Sequence, residues 1–169
     1  LGGVSTTLLD LTSAFSVFAR GGTKIDTHAI QEISDFNNKK IFKQPKQKEK
    51  KVLSPEIAFI ISHILSDNNA RAGAFGTSSY LNIPGKTVAV KTGTTDDKRD
   101  NWTVGYTPSV VVGTWVGNND NPPMNPALAS GITGAAPIWN RIMVDVLKGK
   151  KDEPFVRPDS IVEMDIDTL

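Results

Sequence analysis

Apolar residues recur along this chain at helical spacing in three places. The pattern predicts helices over residues 7–20, from Ser54 to about residue 65, and over residues 136–148. Thr7 with Asp10 three positions later is typical of a helix start, and so is Ser54 followed by Pro55. The apolar stripes are Leu8, Leu11, Phe15 and Phe18; Ile57, Ile60, Ile61, Ile64 and Leu65; and Ile138, Ile142, Val146 and Leu147, the last expected to face inward.

Runs rich in β-branched and aromatic residues predict three consecutive strands in the second half of the chain. The first run covers residues 86–90, and the next two cover 101–108 and 110–120 with a tight turn at 107–109. Residues 24–43 predict a separate polar hairpin that turns at Asn37 and Asn38, whereas residues 67–85 are rich in Asn and Gly and predict a loop.

Length and composition fit one globular domain. A chain of 169 residues, 38% hydrophobic and 22% charged, can bury ~70% of its unfolded surface. The net charge of +1 gives no reason to expect nucleic acid as a partner. The basic stretch at residues 43–51 could contact an anionic polymer, but a solvated connector is the better interpretation.

The cysteine content, the length of the apolar runs and the first residue of the chain limit the chemistry and the organisation that we expect. The absence of cysteine excludes disulfides and cysteine chemistry, and we expect neither a cofactor nor a metal. No apolar run approaches the ~18 residues of a membrane span. Because the chain starts at Leu1 rather than methionine, we expect a fragment or a processed product, with a domain over residues 1–149 and a polar tail over 150–169 that leads out of it.

The polar pentapeptide Lys91-Thr92-Gly93-Thr94-Thr95 directly follows the first predicted strand. Lysine supplies a positive charge, the threonine hydroxyls supply directed hydrogen bonds, and glycine lets a ligand approach the backbone closely. Such a cluster is suited to holding a carboxylate-bearing substrate beside an acyl-transfer centre. Lys-Thr-Gly is also one of three motifs shared by β-lactamases and penicillin-binding proteins.

The wider order of motifs resembles the C-terminal part of the transpeptidase domain of class A, bifunctional penicillin-binding proteins. After Lys91-Thr92-Gly93 come two strands and a helix that begins near Ala136. Further landmarks of the resemblance are residues 9–15 followed by 20–22, residues 52–56, residues 69–71 and residues 75–76. The resemblance covers roughly residues 1–148 and implies an α+β fold, the C-terminal portion of the serine β-lactamase and transpeptidase-like fold, with an antiparallel sheet flanked by helices.

The resemblance implies a serine D,D-transpeptidase that crosslinks peptidoglycan stem peptides and binds β-lactams. By the family pattern Lys91 supports the proton network, Thr92 and Thr94 bind the substrate carboxylate, and the Thr94 N–H is half of an oxyanion hole. Gly93 and Thr95 complete the substrate-binding residues. The family also implies a glycosyltransferase domain and a membrane anchor elsewhere in the full-length protein, and a location on the extracytoplasmic face of the bacterial cytoplasmic membrane.

The chain departs from the family pattern at the nucleophile. No serine is followed by lysine three residues later, so the S-x-x-K motif is missing. Ser66-Asp67-Asn68 spells the second family motif, but it lies only 25 positions before Lys91 and we interpret it as a decoy. We expect His28 and His63 to be surface residues, and Trp102, Trp115 and Trp139 to belong to the core.

Three functional interpretations follow, together with one structural prediction. The first is an enzyme segment that supplies one wall of a transpeptidase site and is inactive alone. The second is a non-catalytic penicillin- or peptidoglycan-binding sensor, and the third is a D,D-carboxypeptidase or β-lactamase. The strands that contain Gly105 and residues 113–117, together with the helix at residues 137–139, favour the crosslinking type over a compact β-lactamase. We also expect the strand at 110–117 to be an open sheet edge, which would recruit the missing N-terminal part of the same protein or a second copy.

Overall fold

The computed structural model describes residues 5–125 and 130–164. The family-based expectation of an α+β fold is confirmed. The elements in chain order are α1 (Leu8–Ala19), β1 (Thr23–Lys24), β2 (Glu32–Ser34), β3 (Lys40–Lys43), β4 (Lys50–Lys51), α2 (Pro55–Ser66), α3 (Asn68–Phe75), β5 (Ala89–Thr94), a 3-10 turn (Asp96–Lys98), β6 (Asp100–Tyr106), β7 (Val111–Gly117) and α4 (Ala135–Leu147).

The central sheet is a three-stranded antiparallel meander in the order β5-β6-β7. Its first strand starts at Ala89, later than predicted, and runs on through Thr94, so most of the polar pentapeptide is itself strand. Two glycines let helices approach opposite faces of the sheet closely. A Cβ at Gly113 would collide with Thr12 of α1, and one at Gly105 would collide with the Trp139 ring of α4. The sheet therefore lies between α1 and α4.

Helix α4 buries a different stripe from the one predicted. Ile138, Ile142 and Val146 are 49%, 39% and 37% exposed, and of the predicted residues Leu147 alone is buried. Two apolar stripes run side by side on this helix, and hydropathy does not distinguish them. The Trp139 side lies inward because Gly105 leaves space for the indole; the buried stripe is Ala135, Ala136, Trp139, Met143 and Leu147.

Helix α2 also turns its small residues inward. Ser54 caps the helix as predicted, accepting a hydrogen bond from the Ile57 N–H. The buried residues are Ala58 and Ser62, and the Ser62 hydroxyl lies 3.0 Å from the Tyr106 hydroxyl. These small side chains let α2 approach the ring of Tyr106 closely. As a result most of the predicted stripe faces outward, and Ile57, Ile60 and Ile64 are exposed.

The segment between α1 and α2 contains the predicted hairpin and one further strand pair. β2 and β3 pair antiparallel, and Asn38 in their turn has a positive φ of 61°. The connector expected over residues 43–51 ends in strand β4, which pairs with β1. The prediction of a loop over residues 67–85 is also partly wrong, because helix α3 occupies Asn68–Phe75. Asp67 caps this helix by accepting hydrogen bonds from the N–H groups of Asn69 and Ala70.

The segment after Lys150 lies against the domain instead of leading away from it. The Asp152 carboxylate accepts hydrogen bonds from the Thr87 N–H and hydroxyl, and these bonds, the backbone one first, lower the pKa of Asp152. Phe155 packs edge-on to the ring of Tyr106 with centroids 5.6 Å apart. Ser160 donates to Glu56 of α2. Packing therefore continues at least to Ser160, while residues 165–169 of the predicted tail lie outside the described residues.

Phe155→Ala is expected to lower the free energy of unfolding by about 1–2 kcal/mol, because the half-buried ring loses its apolar contact with Tyr106. Urea unfolding of the isolated chain measures this change. Val156→Ala, at a neighbouring position that is 86% exposed, is the matched control and should leave stability unchanged. Equal stability of the two variants would mean that the tail does not stabilise the domain.

Both outer edges of the central sheet are unpaired within residues 5–125 and 130–164. β7 is an edge strand as expected, and β5 is the opposite edge. Recruitment of another chain to the β7 edge stays a prediction. In the part of the chain that the structure describes, no helix has the length and apolar character needed to cross a membrane.

Candidate functional site

An open cleft of about 690 Å³ contains the whole polar pentapeptide. It lies between α1 and the C-terminal half of β5. Leu11 and Phe15 of α1 line it together with Trp102 and Val104 of β6, while Asp96, Asp97 and Arg99 contribute charge from the turn that follows β5. The cleft therefore combines an apolar floor with a charged rim.

Lys91 lies in this cleft with an exposed side chain. It pairs across the sheet with Val104, and Gly93 pairs with Trp102. Successive side chains of a strand alternate between faces, so Lys91 and Gly93 share the face that carries α1. The Lys91 Nζ donates to the Thr92 carbonyl oxygen, which places the positive charge at the edge of the strand.

The backbone of β5 presents hydrogen-bonding groups to the cleft at two alternate residues. The Thr95 N–H donates to the Asp100 carbonyl at 3.0 Å, so the backbone groups of Thr95 point towards β6. Because these groups alternate in direction along an antiparallel edge strand, the N–H and C=O of Thr92 and Thr94 point outward. This unpaired edge is a template for an extended peptide.

The side chains of Thr92 and Thr94 lie on the other face of β5 from Lys91. The exposed Thr94 hydroxyl accepts a hydrogen bond of 2.9 Å from the Gly131 N–H. Thr92 is half-buried beside the same glycine. Sequence reasoning did not identify Gly131, since 37 positions separate it from Thr94 and no local pattern connects them.

Thr95 is held by Asp100. Its hydroxyl donates to the Asp100 carboxylate at 3.0 Å and accepts from the Asp100 N–H at 2.8 Å. The other carboxylate oxygen accepts from the Trp115 indole N–H at 2.9 Å. These bonds fasten the end of the Lys-Thr-Gly strand across β6 to β7, so Thr95 contributes to the shape of the cleft.

The tryptophans expected in the core have three different surroundings. Trp139 is fully buried, which confirms the prediction. Trp115 is half-buried and bonded to Asp100. Trp102 is also half-buried, but it lines the cleft instead of lying in the interior.

The triplet Ser66-Asp67-Asn68 has structural roles. The Ser66 hydroxyl donates to the His63 carbonyl, and Asn68 donates to Asn82. Asp67 caps α3, and the hydrogen bond from the Ala70 N–H lowers the pKa of its carboxyl group. His63 is exposed and stacks on Phe59, and His28 is exposed. None of these residues lines the cleft.

The chain matches the family model for the penicillin binding protein transpeptidase domain over residues 1–144. Among curated proteins it is 32% identical to penicillin-binding protein 1A of Rickettsia typhi over 187 aligned positions, which cover 100% of this chain and 24% of that protein. It is 34% identical to penicillin-binding protein 1A of Neisseria meningitidis serogroup A, over 96% of this chain and 20% of that protein. The chain therefore spans about a quarter or less of these relatives.

Solved structures give the same result. Penicillin-binding protein 1A from Haemophilus influenzae superposes with a TM-score of 0.86 at 28% identity, over 100% of this chain and 30% of that one. PonA1 from Mycobacterium tuberculosis in complex with penicillin V superposes with a TM-score of 0.77 at 26% identity, over 95% of this chain and 43% of that one. The chain belongs to the penicillin-binding protein transpeptidase domain family, in its class A branch.

Proposed function

We propose that this chain forms one wall of the active site of a D,D-transpeptidase that crosslinks peptidoglycan and is acylated by β-lactams. The observation that carries the proposal is the open edge of β5, where the outward backbone groups of Thr92 and Thr94 lie beside the Lys91 ammonium in the cleft. An extended stem peptide can add to such an edge through main-chain hydrogen bonds, which fix the position of its carbonyl.

The chemistry needs a serine that comes from polypeptide outside these residues. The serine Oγ bonds to the penultimate D-alanine carbonyl carbon, its proton passes through a neighbouring base to the leaving nitrogen, and the C–N bond breaks to release D-alanine. An amine from a neighbouring stem peptide then attacks the acyl carbon, the C–O bond to the serine breaks, and a proton from the amine returns to the serine Oγ. In this chain the Thr94 N–H stabilises the negative oxygen of each tetrahedral intermediate, a contribution typically worth ~10²–10³ in rate.

The side chains of β5 bind and orient the substrate. Lys91 supplies a positive charge at the strand edge, and this charge favours the ionised serine and attracts the terminal carboxylate. Thr94 offers its hydroxyl proton to that carboxylate, and Gly93 leaves room for the substrate backbone. Thr92 lies beside Thr94 on the same face of the strand and completes the carboxylate site. In the full-length protein we place this reaction on the extracytoplasmic face of the membrane.

The isolated chain is expected to form no covalent adduct with benzylpenicillin, because no serine in it is activated by a lysine three residues later. The nucleophile-complete protein, meaning this chain joined to the N-terminal part of the same protein that we propose supplies the serine, should gain one penicillin mass. Intact mass spectrometry measures both. A Ser66→Ala variant of the isolated chain is the control for an unexpected adduct.

The same two proteins separate the three functional interpretations. Turnover of a stem-peptide donor with an amine acceptor supports the transpeptidase. Release of D-alanine to water alone supports a carboxypeptidase, and fast hydrolysis of penicillin supports a β-lactamase. Stable acylation without any turnover supports a sensor. If the nucleophile-complete protein forms no adduct, the proposed function is wrong.

A further inference from the structure

We infer that the turn at residues 130–134 orients the Thr94 hydroxyl, and that Gly131 is a positioning residue for carboxylate recognition. The inference rests on the proposed function and adds a residue to its site. A hydroxyl has one proton to donate and two lone pairs. Because the Gly131 N–H donates to the Thr94 Oγ1 at 2.9 Å, the Thr94 proton stays available for an acceptor in the cleft.

The turn is fixed at both of its ends. Gly131 is buried, and its carbonyl accepts from the Ala136 N–H at 3.0 Å, inside the first turn of α4. The Gly134 N–H donates to the Ser130 carbonyl at 2.9 Å. On the sheet side, the hydroxyl of buried Thr103 donates to the Gly131 carbonyl at 3.4 Å. The Gly131 N–H is therefore held in place by α4 and β6.

A side chain at position 131 would be crowded against strand β5. An added Cβ would lie 3.0 Å from the Thr92 Cβ and 3.1 Å from the Gly93 carbonyl oxygen. Both atoms belong to strand β5 close to its backbone, so they cannot move aside as the end of a flexible side chain would. We expect a larger residue to push the turn away from β5 by a few tenths of an ångström, which lengthens the bond to Thr94. Released from Gly131, the Thr94 hydroxyl can rotate and lose its donor direction.

The test compares acylation of the nucleophile-complete protein by benzylpenicillin and by its methyl ester, which lacks the carboxylate charge. Gly131→Ala is expected to slow acylation by the acid about 10- to 100-fold. The rate with the ester should change little, so the ratio of the two rates falls. Thr94→Val should reduce the ratio in the same way, and the double variant should lose no more than either single variant, because both remove one interaction.

Gly73→Ala is the matched control, since a Cβ at Gly73 meets nothing within 4 Å. It should leave both rates unchanged. Equal slowing of acid and ester by Gly131→Ala would mean that the turn only supports the fold, and unchanged rates would mean that it has no role; either result overturns the inference. If the unsubstituted protein forms no adduct, the proposed function is wrong and the inference falls with it.

A second measurement covers the case in which Gly131→Ala does not fold. Amide hydrogen exchange at Gly131 in the isolated chain reports the bond to Thr94 directly. Exchange should be at least about tenfold faster in Thr94→Val, where the acceptor is gone, than in Thr94→Ser, where the hydroxyl is kept. Equal exchange in the two variants would contradict the bond on which the inference depends.

Discussion

Lys91→Ala is expected to lower the rate of benzylpenicillin acylation of the nucleophile-complete protein about 1,000-fold. The Lys91 ammonium lies at the open edge of β5, in the cleft that we propose as the substrate site. A unit charge ~4 Å from a carboxylate contributes ~4 kcal/mol when the effective dielectric constant is near 20, and each 1.4 kcal/mol is a tenfold change in rate. The substitution should not disturb folding, because the Lys91 side chain is exposed.

Stopped-flow acylation with a labelled penicillin measures this effect. Lys46→Ala is the matched control, because it removes the same charge from an exposed position in the segment between β3 and β4. The Lys46→Ala variant should be acylated at the same rate as the unsubstituted protein. If Lys91→Ala stays within about threefold of that rate while its thermal unfolding is unchanged, the lysine has no electrostatic role in the site.

Trp139→Ala is expected to lower the free energy of unfolding by about 3–5 kcal/mol. The indole is fully buried and fills the space above Gly105, on the face of the sheet that α4 covers. Alanine would leave a cavity there that the surrounding side chains cannot fill, because the backbone of β6 forms its floor. A loss of this size is a large part of the stability of an ordinary small domain.

Urea unfolding followed by far-ultraviolet circular dichroism measures the loss. Ile138→Ala is the matched control, since it removes an apolar side chain from the neighbouring helical position, which is 49% exposed. We expect this control substitution to lower the free energy of unfolding by less than about 1 kcal/mol. Equal losses in the two variants would show that α4 does not bury the stripe that contains Trp139.

The local structure of the helices was predictable because its causes are local. Thr7 accepts a hydrogen bond from the Asp10 N–H, as its position before the apolar residues predicted. Ser54 caps α2 in the same way. The wrong predictions of the buried stripes have a different cause. On α2 and α4 the predicted stripe is not the buried one, because the partners on the sheet, Gly105 and Tyr106, select which side of each helix can approach.

The docked tail and helix α3 are two further features that the sequence did not predict. Nothing near Phe155 in the sequence indicates Tyr106, which is 49 positions away, yet the two rings are in contact and keep the segment on the domain. Asp67 was interpreted as part of a decoy motif, and its actual role is to cap a helix that the Asn-rich composition concealed. A contact made at long range therefore decides where the tail lies, whereas the cap of α3 is local, between Asp67 and the N–H groups of Asn69 and Ala70.

The residue types of the site and their order along one strand can be read from the sequence alone. Lys91-Thr92-Gly93 with the strands and helix that follow was enough to predict the family, which the family match and the related structures confirm. Which of these groups come into contact depends on how the whole chain folds. Pairing with β6 fixes the outward direction of the Thr94 N–H, and the turn before α4 brings Gly131 to the Thr94 hydroxyl. Both depend on the packing of segments that are distant in the chain, whose geometry no local sequence pattern encodes.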